Sequence, residues 1–131
     1  MAGIVWYSID RELNTVDHEP VSLAEALEIA QRYYGNADKE HEQAEDAIAE
    51  TMFGFERESD GAFIELCVNG RSRVSCKLEI PRPAKSWLSR VFGGPTQVER
   101  NLESWSEVAA RIEEFFSLEP AVMASRLRAE A

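Results

Sequence analysis

The sequence predicts an α+β fold, a two-layer sandwich in which an antiparallel β-meander has helices packed on one face. Residues 53–80 alternate apolar and polar side chains between turn signals, which is typical of strands with one buried face. Two segments, 22–34 and 105–116, repeat apolar residues at helical spacing. Packing the apolar sheet face against the two helix stripes buries all three surfaces in two layers.

The length and composition indicate a single domain spanning residues 1–131. The chain has 44% apolar and 29% charged residues, a balance typical of globular rather than disordered proteins. A domain of this size buries roughly two-thirds of the surface that its unfolded chain exposes. We therefore expect a stable core that needs neither a disulfide nor a metal.

The first third of the chain predicts a strand and a helix. Residues 3–9 are rich in β-branched and aromatic types and form a strand, which a polar stretch through Pro20 follows. Ser22 begins a helix with Glu25 as its capping-box partner. The helix has an apolar stripe at helical spacing, made of Leu23, Leu27, Ala30 and Tyr34.

The register of the first hairpin follows from its turn. Asp60-Gly61 is a strong signal for a two-residue hairpin loop. Such a loop pairs Leu66 with Phe55 and Val68 with Phe53. One face then carries Phe53, Phe55, Ile64, Leu66 and Val68, while the other carries Glu56, Glu58, Phe63 and Glu65.

The second hairpin is expected to contain an irregular loop. A two-residue turn at Asn69-Gly70 would put the apolar residues of the next strand on the wrong face, because a one-residue slip inverts a strand. A three-residue loop corrects this by pairing Leu66 with Val74 and Ile64 with Cys76. We therefore expect a bulged loop with an odd number of residues.

The last third of the chain predicts a short strand and two helices. Residues 84–95 form an insertion after two prolines, and 96–100 form the strand. Ser104, with Glu107 as its capping-box partner, begins a helix over 105–116. Its stripe consists of Trp105, Val108, Ala109, Ile112, Phe115 and Phe116, and a final short helix carries Val122, Met123 and Leu127.

Targeting signals are not recognisable. The first twenty residues contain five charged side chains, and no basic segment precedes an apolar run, so we expect no signal peptide. No uncharged apolar run approaches the roughly 20 residues that a membrane-spanning helix needs. These observations favour a cytoplasmic location without membrane association.

The negative charge is concentrated in the first half of the chain. Residues 1–60 carry 15 acidic and 4 basic side chains, whereas 61–131 carry 9 and 10. The acids are densest in residues 37–50, predicted as an exposed helix or a long polar loop, at Asp38, Glu40, Glu42, Glu45, Asp46 and Glu50. An acidic surface repels nucleic acid and attracts cationic partners. Alternatively, it only keeps the protein soluble.

We find no motif for catalysis or for a cofactor. Neither His18 nor His41 lies beside a nucleophile on a strand-turn-helix. His41 and Glu45 lack the additional ligands of a zinc site, and the acidic cluster lacks the spacing of a calcium loop. Cys67 and Cys76 are expected on opposite sheet faces, both reduced. We therefore predict no catalytic residue, no metal and no cofactor.

A second candidate binding region spans residues 82–92. It combines Trp87 and Phe92 with three basic side chains between prolines and glycines. Tryptophan and arginine dominate interface hot spots, so the segment is typical of a partner-binding element. Alternatively, its apolar groups cover the open end of the core. Nucleic-acid binding by these bases is disfavoured by the net charge of −10.

Together these features favour a non-catalytic acidic binding protein that neutralises or escorts a more basic protein partner. Carboxylates accelerate encounter by electrostatic steering, and a small apolar anchor then holds the complex. The residues predicted for steering are Asp38, Glu40, Glu42, Glu45, Asp46 and Glu50, and those predicted as anchors are Trp87 and Phe92. The chain is expected to be a monomer or a homodimer.

In size, acidity and helix-on-sheet build, the chain resembles the immunity proteins of bacterial polymorphic-toxin systems. The resemblance implies that the basic partner is a cognate toxin, often a nuclease, blocked at or near its active site. Because it rests on these general features and not on a motif, no functional residue is carried over from that family.

Three alternatives remain open from the sequence. The protein could be an acidic inhibitor that imitates nucleic acid, or a homodimer formed through Trp87 and Phe92. It could also be a small enzyme whose pocket combines a carboxylate with Tyr7, Tyr33 or Tyr34. A deep pocket enclosing carboxylates would favour an enzyme, whereas a flat acidic face would favour a binding protein.

Overall fold

The computed structural model describes residues 3–10, 12, 14–35, 52–70, 73–80 and 96–129. Its elements are β1 (Ile4–Ile9), β2 (Thr15–Pro20), α1 (Leu23–Gly35), β3 (Met52–Arg57), β4 (Phe63–Gly70), β5 (Arg73–Ile80), β6 (Thr96–Leu102), α2 (Trp105–Ser117) and α3 (Pro120–Ala129). The strands form one antiparallel sheet in the order β2-β1-β3-β4-β5-β6. The predicted α+β class is confirmed.

One face of this sheet, which we term the core face, carries the hydrophobic core. Its buried side chains come from alternate strand positions, namely Phe53, Phe55, Ile64, Leu66, Val68, Val74, Cys76, Leu78, Val98 and Leu102. The strand register lines them up in rows, one of which runs from Phe55 through Ile64 and Leu78 to Val98. Each fully buried aliphatic or aromatic side chain contributes about 1.5–3 kcal/mol to folding.

All three helices contribute side chains to the same cluster. The buried residues are Ala26, Ile29 and Ala30 from α1, Val108, Ile112 and Phe115 from α2, and Met123, Ala124 and Leu127 from α3. The Tyr33 ring stacks on Phe53 with centroids 4.5 Å apart, and the Phe116 ring meets Phe55 edge-on at 5.9 Å. These contacts join α1 and α2 to the core face.

Two arginines tie helix ends to the sheet. Arg57 donates from Nη2 to the carbonyl oxygens of Phe115 (2.7 Å) and Leu118 (3.1 Å), at the end of α2. Arg100 donates from Nη1 to the carbonyl oxygen of Leu127 (2.8 Å), near the end of α3. Carbonyls in the last turn of a helix have no partner within the helix, and the helix dipole favours a cation there.

Helix α1 begins as predicted, and its predicted stripe faces the core. The Ser22 amide donates to Glu25 Oε1 (3.0 Å) and the Glu25 amide donates to Ser22 Oγ (3.2 Å), which confirms the capping box. Of the predicted stripe Ala30 is fully buried, and Leu23, Leu27 and Tyr34 are partly buried against the core cluster. The stripe left out Ala26 and Ile29, which are also buried. The prediction followed the larger side chains, whereas the small alanines allow the helix backbone to lie close to its neighbours.

The two C-terminal helices agree with most of the prediction. Val108, Ile112 and Phe115 are buried along α2, and Ser104 Oγ accepts from the Glu107 amide at 3.3 Å. The second hydrogen bond of the capping box differs from the usual pattern. The Glu107 carboxylate accepts from the amide of Glu103, at 2.6 Å, instead of from the amide of Ser104. In α3, which carries the three apolar residues named from the sequence, Met123 and Leu127 are buried, whereas Val122 is 46% exposed.

The first hairpin has the predicted faces but a different register. Phe55 pairs with Ile64, and Phe53 pairs with Leu66, so the predicted partners of Phe55 and Phe53 were wrong by two residues. A shift of two residues keeps every side chain on its face. The alternation therefore identified the core face correctly although the pairs were wrong.

A four-residue loop causes this shift. The Arg57 amide donates to the Ala62 carbonyl and the Gly61 amide donates to the Arg57 carbonyl, both at 2.8 Å. Gly61 has φ 75°, a left-handed conformation that favours glycine. Asp60 Oδ1 accepts from the Ala62 amide at 2.9 Å. The Asp-Gly signal is real, but it ends a longer loop.

The second hairpin contains the predicted irregularity with different pairs. The register shifts between Val68 and Gly70, and Val68 pairs with Val74. Leu66 pairs with Cys76, so the predicted partner Val74 was wrong by two residues. Cys76 is buried on the core face, and Cys67, which pairs with Ser75, lies on the opposite face. The two cysteines are not joined by a disulfide.

The stretch before α1 is a strand and not only a polar connection. All six residues of β2, Thr15 to Pro20, are exposed at the sheet edge. A strand exposed on both faces needs no apolar alternation, so periodicity could not reveal it. Its contacts with β1 include the His18 ring, which stacks on Trp6 with centroids 3.9 Å apart.

Candidate functional site

The eight predicted binding residues all lie outside the described residues. They are Asp38, Glu40, Glu42, Glu45, Asp46, Glu50, Trp87 and Phe92. Their roles in steering and anchoring therefore stay predictions. The candidate surface that the described residues do present is the side of the sheet opposite the core face.

We term this side the polar face. It carries the alternate strand residues that point away from the core, including Tyr7, Asp17, Gly54, Glu56, Phe63, Glu65, Cys67, Ser75, Lys77, Glu79, Gln97, Glu99 and Asn101. One row crosses all six strands, from Asp17 through Tyr7, Gly54, Glu65 and Lys77 to Glu99. The sheet thus places charged side chains from distant parts of the chain side by side.

A tyrosine bridges the middle of this row. Tyr7 Oη donates to Glu65 Oε1 at 3.1 Å, across the intervening strand β3. The ring can lie there because β3 has Gly54 at this position. A Cβ on Gly54 would overlap the Tyr7 ring and would lie 2.6 Å from the Ile64 carbonyl oxygen. The glycine is therefore what lets Tyr7 reach Glu65.

The electrostatics of Tyr7 give it the role of a hydrogen-bond donor. Burial, and then the negative charge of Glu65, raise the pKa of the Tyr7 phenol far above its usual value. The phenolate form is therefore excluded at neutral pH. Tyr7 is a poor candidate for a catalytic base and a good one for a fixed structural donor.

The chain itself places a lysine beside a carboxylate and an aromatic ring of the polar face. Lys77 Nζ lies 3.5 Å from Glu65 Oε2 and 5.6 Å from the centroid of the Phe63 ring. The Phe63 ring in turn meets the Tyr7 ring edge-on, with centroids 6.4 Å apart. Carboxylates beside aromatic rings are thus shown to hold an ammonium group on this surface.

Three carboxylates of the polar face, one at the end of this row and two beside it, have no paired cation among the described residues. Glu56, Asp17 and Glu79 form no ion pair with any of them. Partial burial, and then the charges of Asp17 and Glu58, raise the pKa of the Glu56 carboxyl. The repulsion makes ionisation of Glu56 costlier, and a nearby cation would reduce that cost.

Three arginines, two of the sheet and one of α2, do not neutralise these carboxylates. Arg57 and Arg100 are engaged with helix carbonyls, as described above. Arg111 lies 2.7 Å from Glu114, and the charges of both act on the buried Cys76, whose pKa burial raises to about 12. Three of the described arginines thus serve the core side, which leaves the polar face with an excess of negative charge.

Two depressions mark the polar face. An open groove of about 630 Å³ is lined by Glu65, Cys67, Ser75, Lys77 and Glu99, among others. A smaller cleft of about 150 Å³ is lined by Tyr7, Thr15, Asp17, Glu56, Phe63 and Glu65. The described residues contain no group of three or more side chains arranged to hold a metal ion.

One contact at the sheet edge joins a serine hydroxyl to a histidine ring, a pair that the sequence did not indicate. Ser8 Oγ lies 2.8 Å from His18 Nε2, and the His18 ring stacks on Trp6. A nucleophile and a base within hydrogen-bond distance are a minimum for covalent catalysis. Among the described residues no carboxylate bonds the other ring nitrogen, and the pair is explained as a cross-strand contact between β1 and β2.

Part of the polar face was predicted correctly from the alternation of apolar and polar residues along the strands. Glu56, Phe63 and Glu65 were placed on the outward side from the hairpin pattern. The row through Tyr7 and Gly54 could not be foreseen, because nothing local indicates that β1 pairs with β3.

Comparisons with known proteins identify no relative. No protein-family model, no curated protein and no solved structure matches this chain. In the part of the chain that is described, none of the helices has the length and apolar character needed to cross a membrane.

Proposed function

We propose that this protein is a non-catalytic binding protein that neutralises or escorts a more basic protein partner, for example as an immunity protein against a cognate toxin. One observation carries the proposal. Among the described strand residues, the polar face presents five carboxylates against two cations. The carboxylates are Asp17, Glu56, Glu65, Glu79 and Glu99, and the cations are Arg73 and Lys77.

The physical argument is electrostatic. Like charges on one surface add their potentials, which accelerates the approach of an oppositely charged protein and orients it. The depressions on the polar face are open and lined by strand side chains, as suits a protein partner. Tyr7 is held in its protonated form, which disfavours the enzyme alternative that was based on that tyrosine.

The proposed function is tested by affinity capture from the native host, followed by mass spectrometry. The wild-type bait is washed at about 0.05 M and at about 0.5 M salt, because screening shortens the range of charge interactions. We expect a basic protein that is retained at low salt and released at high salt. A bait with Asn or Gln at Asp38, Glu40, Glu42, Glu45, Asp46 and Glu50 should retain less of it.

The control bait makes the same total charge change at six exposed carboxylates outside the acidic segment. In it Gln replaces Glu12, Glu28, Glu58, Glu103, Glu113 and Glu119. Recovery of only acidic or salt-insensitive proteins would contradict the proposed function. Equal loss of the partner with both altered baits would show that net charge matters and that no particular acidic segment does.

A further inference from the structure

We propose that the basic partner docks on the polar face of the sheet and presents arginine side chains to the cleft between Tyr7, Glu56 and Phe63. This inference rests on the proposed function and specifies the surface and the partner's chemistry. It adds a docking surface on the sheet to the acidic segment 38–50, whose role predicted from the sequence is electrostatic steering.

The first argument is charge complementarity. Asp17, Glu56 and Glu65 converge on the cleft, and of these only Glu65 has a described cation beside it, Lys77. Asp17 and Glu56 repel each other, and this repulsion contributes to the raised pKa of the Glu56 carboxyl. A cation placed between them would be attracted by both, so the cleft favours a positively charged occupant.

The second argument is the aromatic wall of the cleft. Tyr7 and Phe63 line it together with the carboxylates, and their rings meet edge-on. The chain's own Lys77 already uses this combination, since its Nζ lies over the Phe63 ring and beside Glu65. The remaining carboxylates offer a partner's cation a similar environment.

Arginine fits this environment better than lysine does. Its planar guanidinium can stack on an aromatic ring and bond a carboxylate through two parallel hydrogen bonds. The ammonium of lysine is a compact and strongly hydrated charge that cannot make both contacts in this way. A preference for arginine is therefore a specific consequence of the ring-and-carboxylate arrangement.

The size of the face is compatible with an interface. Six strands at about 4.8 Å spacing and about 20 Å in length make the flat outline of the polar face roughly 24 Å by 20 Å. A standard interface buries about 800 Å² on each partner. Side chains that protrude from the sheet add to the area that a partner can bury. The polar face can thus supply most of an interface for a salt-sensitive complex.

The test is a titration of the full-length, ¹⁵N-labelled protein with a nine-residue arginine peptide at low salt, followed by NMR. We expect shift changes concentrated in β1, β3, β4 and β5 near Tyr7, Glu56 and Phe63. A nine-residue lysine peptide should bind more weakly. The D17N/E56Q double variant should lose about fivefold in affinity for the arginine peptide, as expected for partly exposed ion pairs.

The matched control is the E28Q/E113Q double variant, which removes the same charge from exposed positions on α1 and α2. It should bind the arginine peptide nearly as the wild type does. Shift changes confined to other regions, or equal losses in both double variants, would overturn the docking surface. Equal binding of the two peptides would overturn the arginine preference.

The two proposals can fail separately. If host capture still yields a salt-sensitive basic partner that the D17N/E56Q variant binds normally, the docking surface is wrong and the proposed function stands. If capture yields no basic partner, the proposed function itself is wrong. Both conclusions require that the D17N/E56Q variant is folded, which a dispersed NMR spectrum verifies. We expect it to fold because neither side chain is in the core.

Discussion

The two faces of the sheet are built from the same strands and yet have opposite physical character. Along β4, Ile64 and Leu66 are completely buried on the core face, while Phe63 and Glu65, between and beside them, lie partly exposed on the polar face. Adjacent residues therefore contribute to different properties. The difference teaches that the core requires apolar side chains at the positions of one face, whereas many positions of the other face can carry charge.

The faces also differ in how they hold their polar groups. Near the core face, arginines are engaged with helix carbonyls and with Glu114. On the polar face, carboxylates outnumber cations, and the only described ion pair is that of Lys77 with Glu65. The core side thus pairs its described arginines with oxygen atoms of α2 and α3, whereas the polar side carries carboxylates that have no paired cation among the described residues.

The largest expected effect is on stability when an aromatic side chain is removed from the core face. Phe55→Ala should lower the free energy of unfolding by about 3–5 kcal/mol, since it leaves a cavity at a fully buried position. Phe63→Ala, the matched change on the polar face, should cost no more than about half as much because that ring is part-exposed. Urea unfolding measures both. Similar losses would contradict the division of the sheet into two faces.

The second prediction concerns Gly54, where the polar face is tightly packed. Gly54→Ala should lower the free energy of unfolding by about 1–3 kcal/mol, because the new Cβ meets both the Tyr7 ring and the Ile64 carbonyl oxygen. Gly35→Ala is the control, since nothing lies within 4 Å of a Cβ there. Thermal unfolding should leave this control within about 0.5 kcal/mol of wild type. If Gly54→Ala is as neutral as the control, Tyr7 does not lie across β3.

The smallest expected effect concerns charge on the polar face. The folded-state pKa of Glu56 is raised, so its ionisation opposes folding, and stability is lost as pH rises through that pKa. At pH 7, Glu56→Gln should therefore stabilise the protein by about a few tenths of a kcal/mol. Near pH 3, where the carboxyl is protonated in both states, this gain should vanish.

Glu65→Gln provides the comparison for Glu56→Gln. It removes the charge that pairs with Lys77, so at pH 7 it should be neutral or slightly destabilising. Both variants are measured by urea unfolding at the two pH values. If Glu56→Gln destabilises the protein at pH 7, the carboxylates of the polar face do not repel each other as described.

Much of the fold was predictable because its signals are local. Ser22 with Glu25, and Ser104 at the start of α2, cap helices through contacts within a single turn. Alternation sorted Phe53, Phe55 and Ile64 from Glu56 and Glu65 without knowledge of the pairs. The errors of two residues in both hairpins preserved these faces, because faces repeat with a period of two.

The candidate surface was predictable only in part. The outward positions of Glu56, Phe63 and Glu65 followed from the hairpin pattern. The edge strand β2 was missed because its residues are exposed on both faces. The predicted steering residues between 38 and 50 and the predicted anchors Trp87 and Phe92 lie outside the described residues and remain predictions.

By itself the sequence determined the α+β class, the helix starts, the two faces of the meander and the surplus of acidic side chains. These depend on contacts within a few residues and on composition. Only the tertiary structure decided the loop lengths that set the register, the pairing of β1 with β3 and the reach of Tyr7 over Gly54 to Glu65. Those depend on contacts between residues tens of positions apart, for which a single sequence carries no local signal.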